Sequence, residues 1–264
     1  MSEPIRTDPI RTELADGVLT VTLARPEKKN SITQAMYSAL AEATTRARTD
    51  DAVRVLLFRS DGDSFSAGND IMDFIAISQS GRGGAMVEAP VFQFLHAMAE
   101  LDKPAVAAVR GRAVGIGLTL LLNCDLVVVA EDALLSVPFV NLALAPEAAS
   151  SLLLPMAIGH QRAFEMFALG EPIDGPTALA WGIANRCVPS AEVDAVAAGL
   201  AARIAQRAPN SIKKTKRLMR DAEALWALMQ REGEAFGSQM SSPEAMEAFT
   251  AFTQKRAPDF SKAG

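Results

Sequence analysis

The stretch from Ala105 to Ala130 constrains this chain most. Ala105 to Val109 is an unbroken apolar run, followed at once by Gly111-Arg112-Ala113-Val114-Gly115-Ile116-Gly117. Leu118 to Leu122 then reads as helix, and Leu126 to Ala130 as a second short apolar run. Such runs, bounded by turn residues, fit strands buried on both faces. A helix between two of them returns the chain in the same direction. Strand, glycine turn and helix in succession therefore predict an α/β fold with largely parallel sheet.

The flanking segments extend this pattern. Val18 to Leu23 is a strand after a turn at Asp16-Gly17, and Arg25 to Asn30 breaks it. Ser31 or Thr33 is the candidate cap of a helix running to about Thr49. Val53 to Arg59 reads as a buried strand, Gln79 to Ala89 as a mobile loop, and Val91 to Leu101 as a helix. After about Leu152 the chain reads as helices, with breaks at Gly159, Gly170, Pro176, Pro209 and Pro243, and Ile183 to Val188 as a returning strand. The expected division is an α/β core over residues 1–200 and a helical region over 201–264. In that tail Leu218, Leu225, Leu228 and Met229 have helical spacing, which fits a packing surface or internal core equally. Lys213 to Arg217 is read as a solvated helix face.

Composition excludes some functions. The 264 residues are 49% hydrophobic and 22% charged, an ordinary globular balance. A net charge of −5 argues against a general nucleic-acid binder, which needs a positive footprint. No apolar stretch approaches the ~20 residues of a membrane span, the first twelve residues lack an apolar signal core, and the ending is not a peroxisomal Ser-Lys-Leu. The expectation is a soluble cytoplasmic protein. Cys124 and Cys187, His96 and His160 lack metal-ligand spacing, so no metal centre is expected.

Three segments carry candidate chemistry. Ser64-Phe65-Ser66-Ala67-Gly68-Asn69-Asp70 follows a strand, and its small residues let a ligand approach the backbone. By itself it reads equally as a loop with Asp70 as a helix cap. The glycine turn 111–117 places unpaired N–H groups at a helix start, where an anion or developing oxyanion binds. It also resembles the cofactor turn of short-chain dehydrogenases, but Tyr37, the only tyrosine, has Ala41 four residues on, so their Tyr-x-x-x-Lys is absent. Third, Leu144-Ala145-Pro146-Glu147-Ala148-Ala149-Ser150 sets one acid among small apolar residues ahead of a helix. A carboxylate so placed has a raised pKa and suits a base; the plainer reading is a first-turn glutamate.

In order and spacing these segments resemble the crotonase (enoyl-CoA hydratase/isomerase) superfamily. Phe65-x-Ala67-Gly68-x-Asp70 resembles its first oxyanion loop, Gly111 to Gly117 its second, and Arg25 to Asn30 its CoA-contacting turn. Asn123-Cys124-Asp125-Leu126 and the ending from Phe249 to Phe260 are similar to further family segments. The resemblance covers roughly residues 14 to 260 and implies a crotonase-like spiral of ββα units with a C-terminal helical region.

The resemblance implies roles. The N–H groups of Ala67 and Ile116 would hold a thioester oxygen while the α-carbon loses a proton. Ile116 stands where glycine is frequent, which requires dihedrals that suit a side chain. Hydratases of the family use two glutamates; the matching positions here are Thr119 and Phe139, and neither supplies a carboxylate. Pro146-Glu147-Ala148-Ala149 is similar to the Pro-Glu-small-small context of peroxisomal-type Δ3,Δ2-enoyl-CoA isomerases, so the expectation is an isomerase with Glu147 as its one base. Ser66, Gly68, Asp70, Gly115 and Phe139 are expected around the substrate. Lys28 and Lys29 are candidates for CoA phosphates, and Phe252 and Lys255 for the adenosine part. No separate cofactor is implied, since CoA belongs to the substrate. The likeness also implies a homotrimer or a dimer of trimers. A hydratase or other crotonase-type lyase, and a non-enzymatic CoA-ester or RNA-binding relative, are the alternatives.

Overall fold

The computed structural model describes residues 8–73 and 89–262. All of the loop expected at Gln79 to Ala89 except Ala89 lies outside the described residues.

The main sheet has six strands. β1 (Ile10–Ala15) and β2 (Val18–Leu23) form an antiparallel hairpin. Asp16 and Gly17 close it with φ of 50° and 79°, the left-handed pair that matches strand twist in a two-residue turn. β2 then pairs in parallel with β3 (Val55–Ser60), β3 with β4 (Ala105–Val109), β4 with β6 (Leu126–Ala130), and β6 with β9 (Arg186–Val188). Every residue of β4 is buried, which is why its sequence is apolar without alternation. β1 is an edge strand with four exposed residues, and its polar Arg11-Thr12-Glu13 hides it from the sequence pattern.

Three further strands escaped the sequence reading. β5 (Arg112–Val114), β7 (Leu134–Ser136) and β8 (Ile173–Asp174) form a separate small sheet, β5 parallel to β7 and β7 antiparallel to β8. Two or three residues carry no periodicity to detect. β5 lies inside the glycine turn, so this small sheet presents that turn.

Helices cover both regions. Thr33, not Ser31, caps α1 (Gln34–Thr49), accepting from the Met36 N–H at 3.3 Å. α1 packs on α2 (Pro90–Glu100). α3 (Ile116–Leu122) follows the glycine turn. α4 (Ser150–Ile158), α5 (His160–Leu169) and α6 (Gly175–Trp181) come next, separated at Gly159 and Gly170 as read. α7 (Val193–Ala205) runs across residue 200 and packs on β3, β4 and β6. Pro176, Pro209 and Pro243 stand in the first turns of α6, α8 (Pro209–Met219) and α10 (Pro243–Thr253), so they open helices rather than break them.

The tail corrects two readings. Lys213 to Arg217 is not a uniformly solvated face: Lys216 is buried, its Nζ 2.7 Å from Asp125 and 2.8 Å from the Lys103 carbonyl. In α9 (Ala222–Met240), Leu225 and Met229 join the core, whereas Leu218 on α8 is exposed.

Glycine at 111 sets the two candidate loops side by side. Its φ is +58°, and an added Cβ would lie 1.8 Å from the Asp63 carbonyl oxygen. Replacing Gly111 by alanine is therefore expected to destabilise the fold by about 2 kcal/mol or more. Urea unfolding checks this; an unchanged midpoint would contradict the close approach.

Candidate functional site

The two loops are stitched together by backbone. Ser66 N–H donates to the Arg112 carbonyl at 3.0 Å, and Val114 N–H to the Ser66 carbonyl at 2.9 Å. Buried Asn30 braces the first loop: its Nδ2 donates to the carbonyls of Asp61 and Ser64, both at 2.8 Å.

This bracing occupies the N–H expected to hold an oxyanion. The Ala67 N–H donates to the Lys29 carbonyl at 2.9 Å, so it is already spent. The Gly68 N–H donates to Ser66 Oγ at 3.1 Å. Asn69 differs. Ile32 forms a parallel bridge to it through the Gly68 carbonyl and the Asp70 N–H, which turns the Asn69 N–H to the other side. That N–H has no partner among the described residues, and Asn69 lines both cavities described below. On the second loop the Ile116 N–H is likewise unpaired among the described residues, as the first N–H of a helix is. Gly115 before it has φ 55° and ψ −120°, a region that needs glycine. Ile116 does not have positive φ, so its side chain is accommodated.

Two other expectations change. Ser66 is fully buried and donates its hydroxyl to the Asn30 carbonyl at 2.9 Å, so it builds the loop rather than meeting a ligand. Asp70 binds Arg25 at 2.7 Å and accepts from the Met72 N–H at 3.1 Å; it is the helix-cap reading, not the ligand reading, that fits. Burial pushes its carboxyl up, but Arg25, the Met72 N–H and Ser31 together outweigh that and hold it below the usual range.

A cleft of about 350 Å³ opens beside the loops, lined by Gly68, Asn69, Gly115, Ile116, Phe139 and Phe252 among others. A narrower cavity of about 70 Å³ adjoins through the shared residues Asn69 and Phe236, with Tyr37, Phe92 and Glu147 in its wall. Glu147 is the one carboxylate among the described residues lining either space. Phe252 is half exposed at the cleft. Lys255 does not line it; the neighbouring Arg256 does, held 2.5 Å from Glu247, whose carboxyl that contact draws down to about 2. Lys28 and Lys29 are exposed on the turn whose Lys29 carbonyl binds the Ala67 N–H.

Glu147 is buried, and Thr119 Oγ1 donates to its Oε1 at 2.6 Å. Its Oε2 has no partner among the described residues. Burial pushes its carboxyl from 4.5 up to about 8; the Thr119 hydrogen bond opposes this and the charge of Glu232 adds to it. After it, Ala148 and Ala149 both take left-handed conformations, at φ 58° and 59°. Each costs of order 1–2 kcal/mol for alanine, so surrounding contacts must hold the turn. Asn123 Nδ2 donates to the Ala148 carbonyl at 2.9 Å, and Arg220 in turn binds Asn123.

The residues the sequence did not suggest are Tyr37, Asn69 and Glu232. Tyr37 is fully buried and donates its hydroxyl to Asn69 Oδ1. Burial first, and the Glu147 charge second, push its phenol well above its usual value. Nothing in the sequence around it marks it. Glu232 does carry a signal: it is an acid in the helical stripe of Leu225, Met229, Phe236 and Met240.

Fold and site together define an α/β enzyme-type pocket with paired unpartnered N–H groups and one buried acid. A family model described as enoyl-CoA hydratase/isomerase matches residues 13–263. Enoyl-CoA delta isomerase 2 of Rattus norvegicus is 32% identical over 91% of this chain and 62% of that protein, so the chain spans about three-fifths of that relative. The 1,2-epoxyphenylacetyl-CoA isomerase of Escherichia coli is 31% identical over 95% of this chain and 97% of that one. Among solved structures, an enoyl-CoA hydratase/isomerase from Pseudoalteromonas atlantica is similar with a TM-score of 0.89 and 40% identity, covering 96% of this chain and 100% of that chain. Pseudomonas aeruginosa OdaA is similar at 0.87 and 45%, over 93% and 99%. The chain belongs to the enoyl-CoA hydratase/isomerase family of the crotonase superfamily, enzymes that act on CoA thioesters, and has their fold. Among the described residues no helix is long and apolar enough to cross a membrane.

The Glu147 environment has a stability consequence. A folded pKa near 8 against 4.5 unfolded means that the unfolded chain releases a proton which the folded chain keeps. Stability therefore falls as pH rises from about 4.5 to 8. Glu147→Gln removes that loss. At pH 8 the variant is expected to melt roughly 5–10 °C above the parent, with the difference vanishing near pH 4. A variant melting lower at pH 8 would contradict the buried carboxyl.

Proposed function

We propose that this enzyme isomerises a 3-enoyl-CoA to the trans-2-enoyl-CoA, with Glu147 as the only acid–base group. The supporting observation is the single carboxylate in the pocket, beside Thr119 and Phe139 at the two positions where hydration would need acids. Ionised Glu147 takes a proton from C2. The electrons of that C–H bond flow toward the thioester oxygen, giving a dienolate. Protonated Glu147 returns the same proton to C4, and the double bond lies between C2 and C3.

The thioester oxygen is placed at the N–H groups of Asn69 and Ile116. Preorganised donors strengthen as charge develops there, and each is worth ~3–4 kcal/mol in such sites. Thr119 holds Oε1, which leaves Oε2 for the substrate proton. A base near pKa 8 returns a proton as readily as it takes one, which suits a reaction needing both from one group. Phe139 and Leu144 give the cleft an apolar wall that keeps attacking water from C3. Lys28 and Lys29 are assigned to the CoA phosphates, Phe252 and Arg256 to the outer part of the cleft. We also propose a homotrimer or dimer of trimers; exposed Met156, Phe164 and Leu218 support a further covered surface.

A second reading keeps the same base and changes the acyl group. Tyr37, Phe92 and Phe236 around the inner cavity suit an aromatic acyl chain, and the Escherichia coli relative is named for such a substrate.

Two substrates separate isomerisation from hydration. With 3-hexenoyl-CoA the conjugated enoyl-thioester absorbance should rise, while crotonyl-CoA should be hydrated at least about 100-fold more slowly. Fast loss of crotonyl-CoA without any rise from 3-hexenoyl-CoA would sink the isomerase. Glu147→Gln should lower kcat by about 1,000-fold or more while leaving CoA-ester binding within a few-fold. The acid limb of kcat/KM should fall near pH 8, because the base must be ionised.

A further inference from the structure

We infer that Glu232 is a positioning residue: from α9 its carboxylate grips the turn that carries Glu147 and so aims the base. This rests on Glu147 as the base. The grip is bidentate. Glu232 Oε2 accepts from the Ala149 N–H at 2.6 Å, and Oε1 from the Ser151 N–H at 2.9 Å.

The contact answers a local need. α4 starts from Ala149, which has no side chain to cap it, so its first N–H groups would be buried without partners. Two consecutive left-handed alanines precede it. Glu232 supplies from 83 positions away what a serine or aspartate at the cap would supply locally. Asn123 takes the Ala148 carbonyl from the other side. The peptides that follow Glu147 are thus clamped from two elements.

Packing alone does not account for an acid here. Glu232 is 7% exposed, in a stripe otherwise made of Leu225, Met229, Phe236 and Met240. A buried acid costs more than an apolar residue unless its partners need it. The same helix face puts Met229, Gly233 and Phe236 in the wall of the inner cavity. Glu232 therefore registers the base against the wall that meets the acyl chain.

Its charge also bears on the base. Glu147 is faced by the Tyr37 phenol of α1, by Asn69, by the Thr119 hydroxyl of α3 and by Glu232 of α9. Glu232 is faced by the Ser151 hydroxyl, the two backbone N–H groups and Arg231 of its own helix; burial raises its carboxyl and these partners oppose that. Of these, the Glu232 charge opposes ionisation of Glu147.

Glu232→Gln keeps the shape, removes the charge and turns one acceptor into a donor. With 3-hexenoyl-CoA, kcat should fall about 10- to 100-fold with KM within about threefold. The acid limb of kcat/KM should move to lower pH. A loss of kcat with the limb in place, or no loss, would overturn the inference. Glu232→Asp keeps the charge but withdraws the carboxylate by one methylene; kcat should fall with the limb unmoved, and parental kcat would overturn the grip. pH-difference infrared spectra need no turnover. The protonated-carboxyl band that Glu147→Gln abolishes should titrate at lower pH in Glu232→Gln, and an unmoved midpoint overturns the inference. An active Glu147→Gln enzyme would instead remove Glu147 as base, whatever the infrared midpoint.

Discussion

The bridge between Ser66 and Ala113 is the contact on which the site depends. It joins the loop after β3 to the loop after β4, and both loops must face one cleft. Glycine at 111 allows the approach, and Asn30 fixes the first loop from the third side. With the N–H groups of residues 66–68 taken by Arg112, Lys29 and Ser66 Oγ, the Asn69 N–H is what remains. The N–H groups proposed as donors are thus left over from complete pairing nearby. The backbone does not dictate the side chain at either position, and that of Asn69 is engaged by the Tyr37 hydroxyl.

The acid obeys a different logic. Glu147 sits in an apolar wall where its charge is costly, and a single hydroxyl tempers that cost. Too much stabilisation would make a weak base; too little would leave it permanently protonated. Thr119 and Glu232 pull in opposite directions on that balance, one by hydrogen bond and one by charge. Both lie on helices, so the balance is set by rigid elements.

The sequence made the parallel sheet legible because β4 and β6 are apolar throughout and β3 is apolar over Val55 to Phe58, and the start of α1 legible through Thr33, whereas Pro209 and Pro243 read as breaks though they open helices. It hid β5, β7 and β8, too short for any period, and β1, whose polar residues face solvent at an edge. Around the site it pointed to the two loops that line the cleft and to Glu147, the acid in the adjoining cavity. It could not tell that the Ala67 N–H is paired and the Asn69 N–H is not, since only hydrogen-bond accounting separates them. Ser66 and Asp70 look polar and available in sequence, yet both are consumed in building the loop. Tyr37 and Glu232 reach the site across long stretches of chain, which no local pattern reports.

Those long reaches bear on how the polypeptide acquires its activity. Tyr37, Asn69, Thr119, Glu147 and Phe236 converge from widely separated parts of the chain, and the anchor of the Glu147 turn lies at residue 232. The pocket is therefore complete only when elements spread from residue 37 to residue 236 have packed together, so its geometry reports on the tertiary structure as a whole rather than on any one segment.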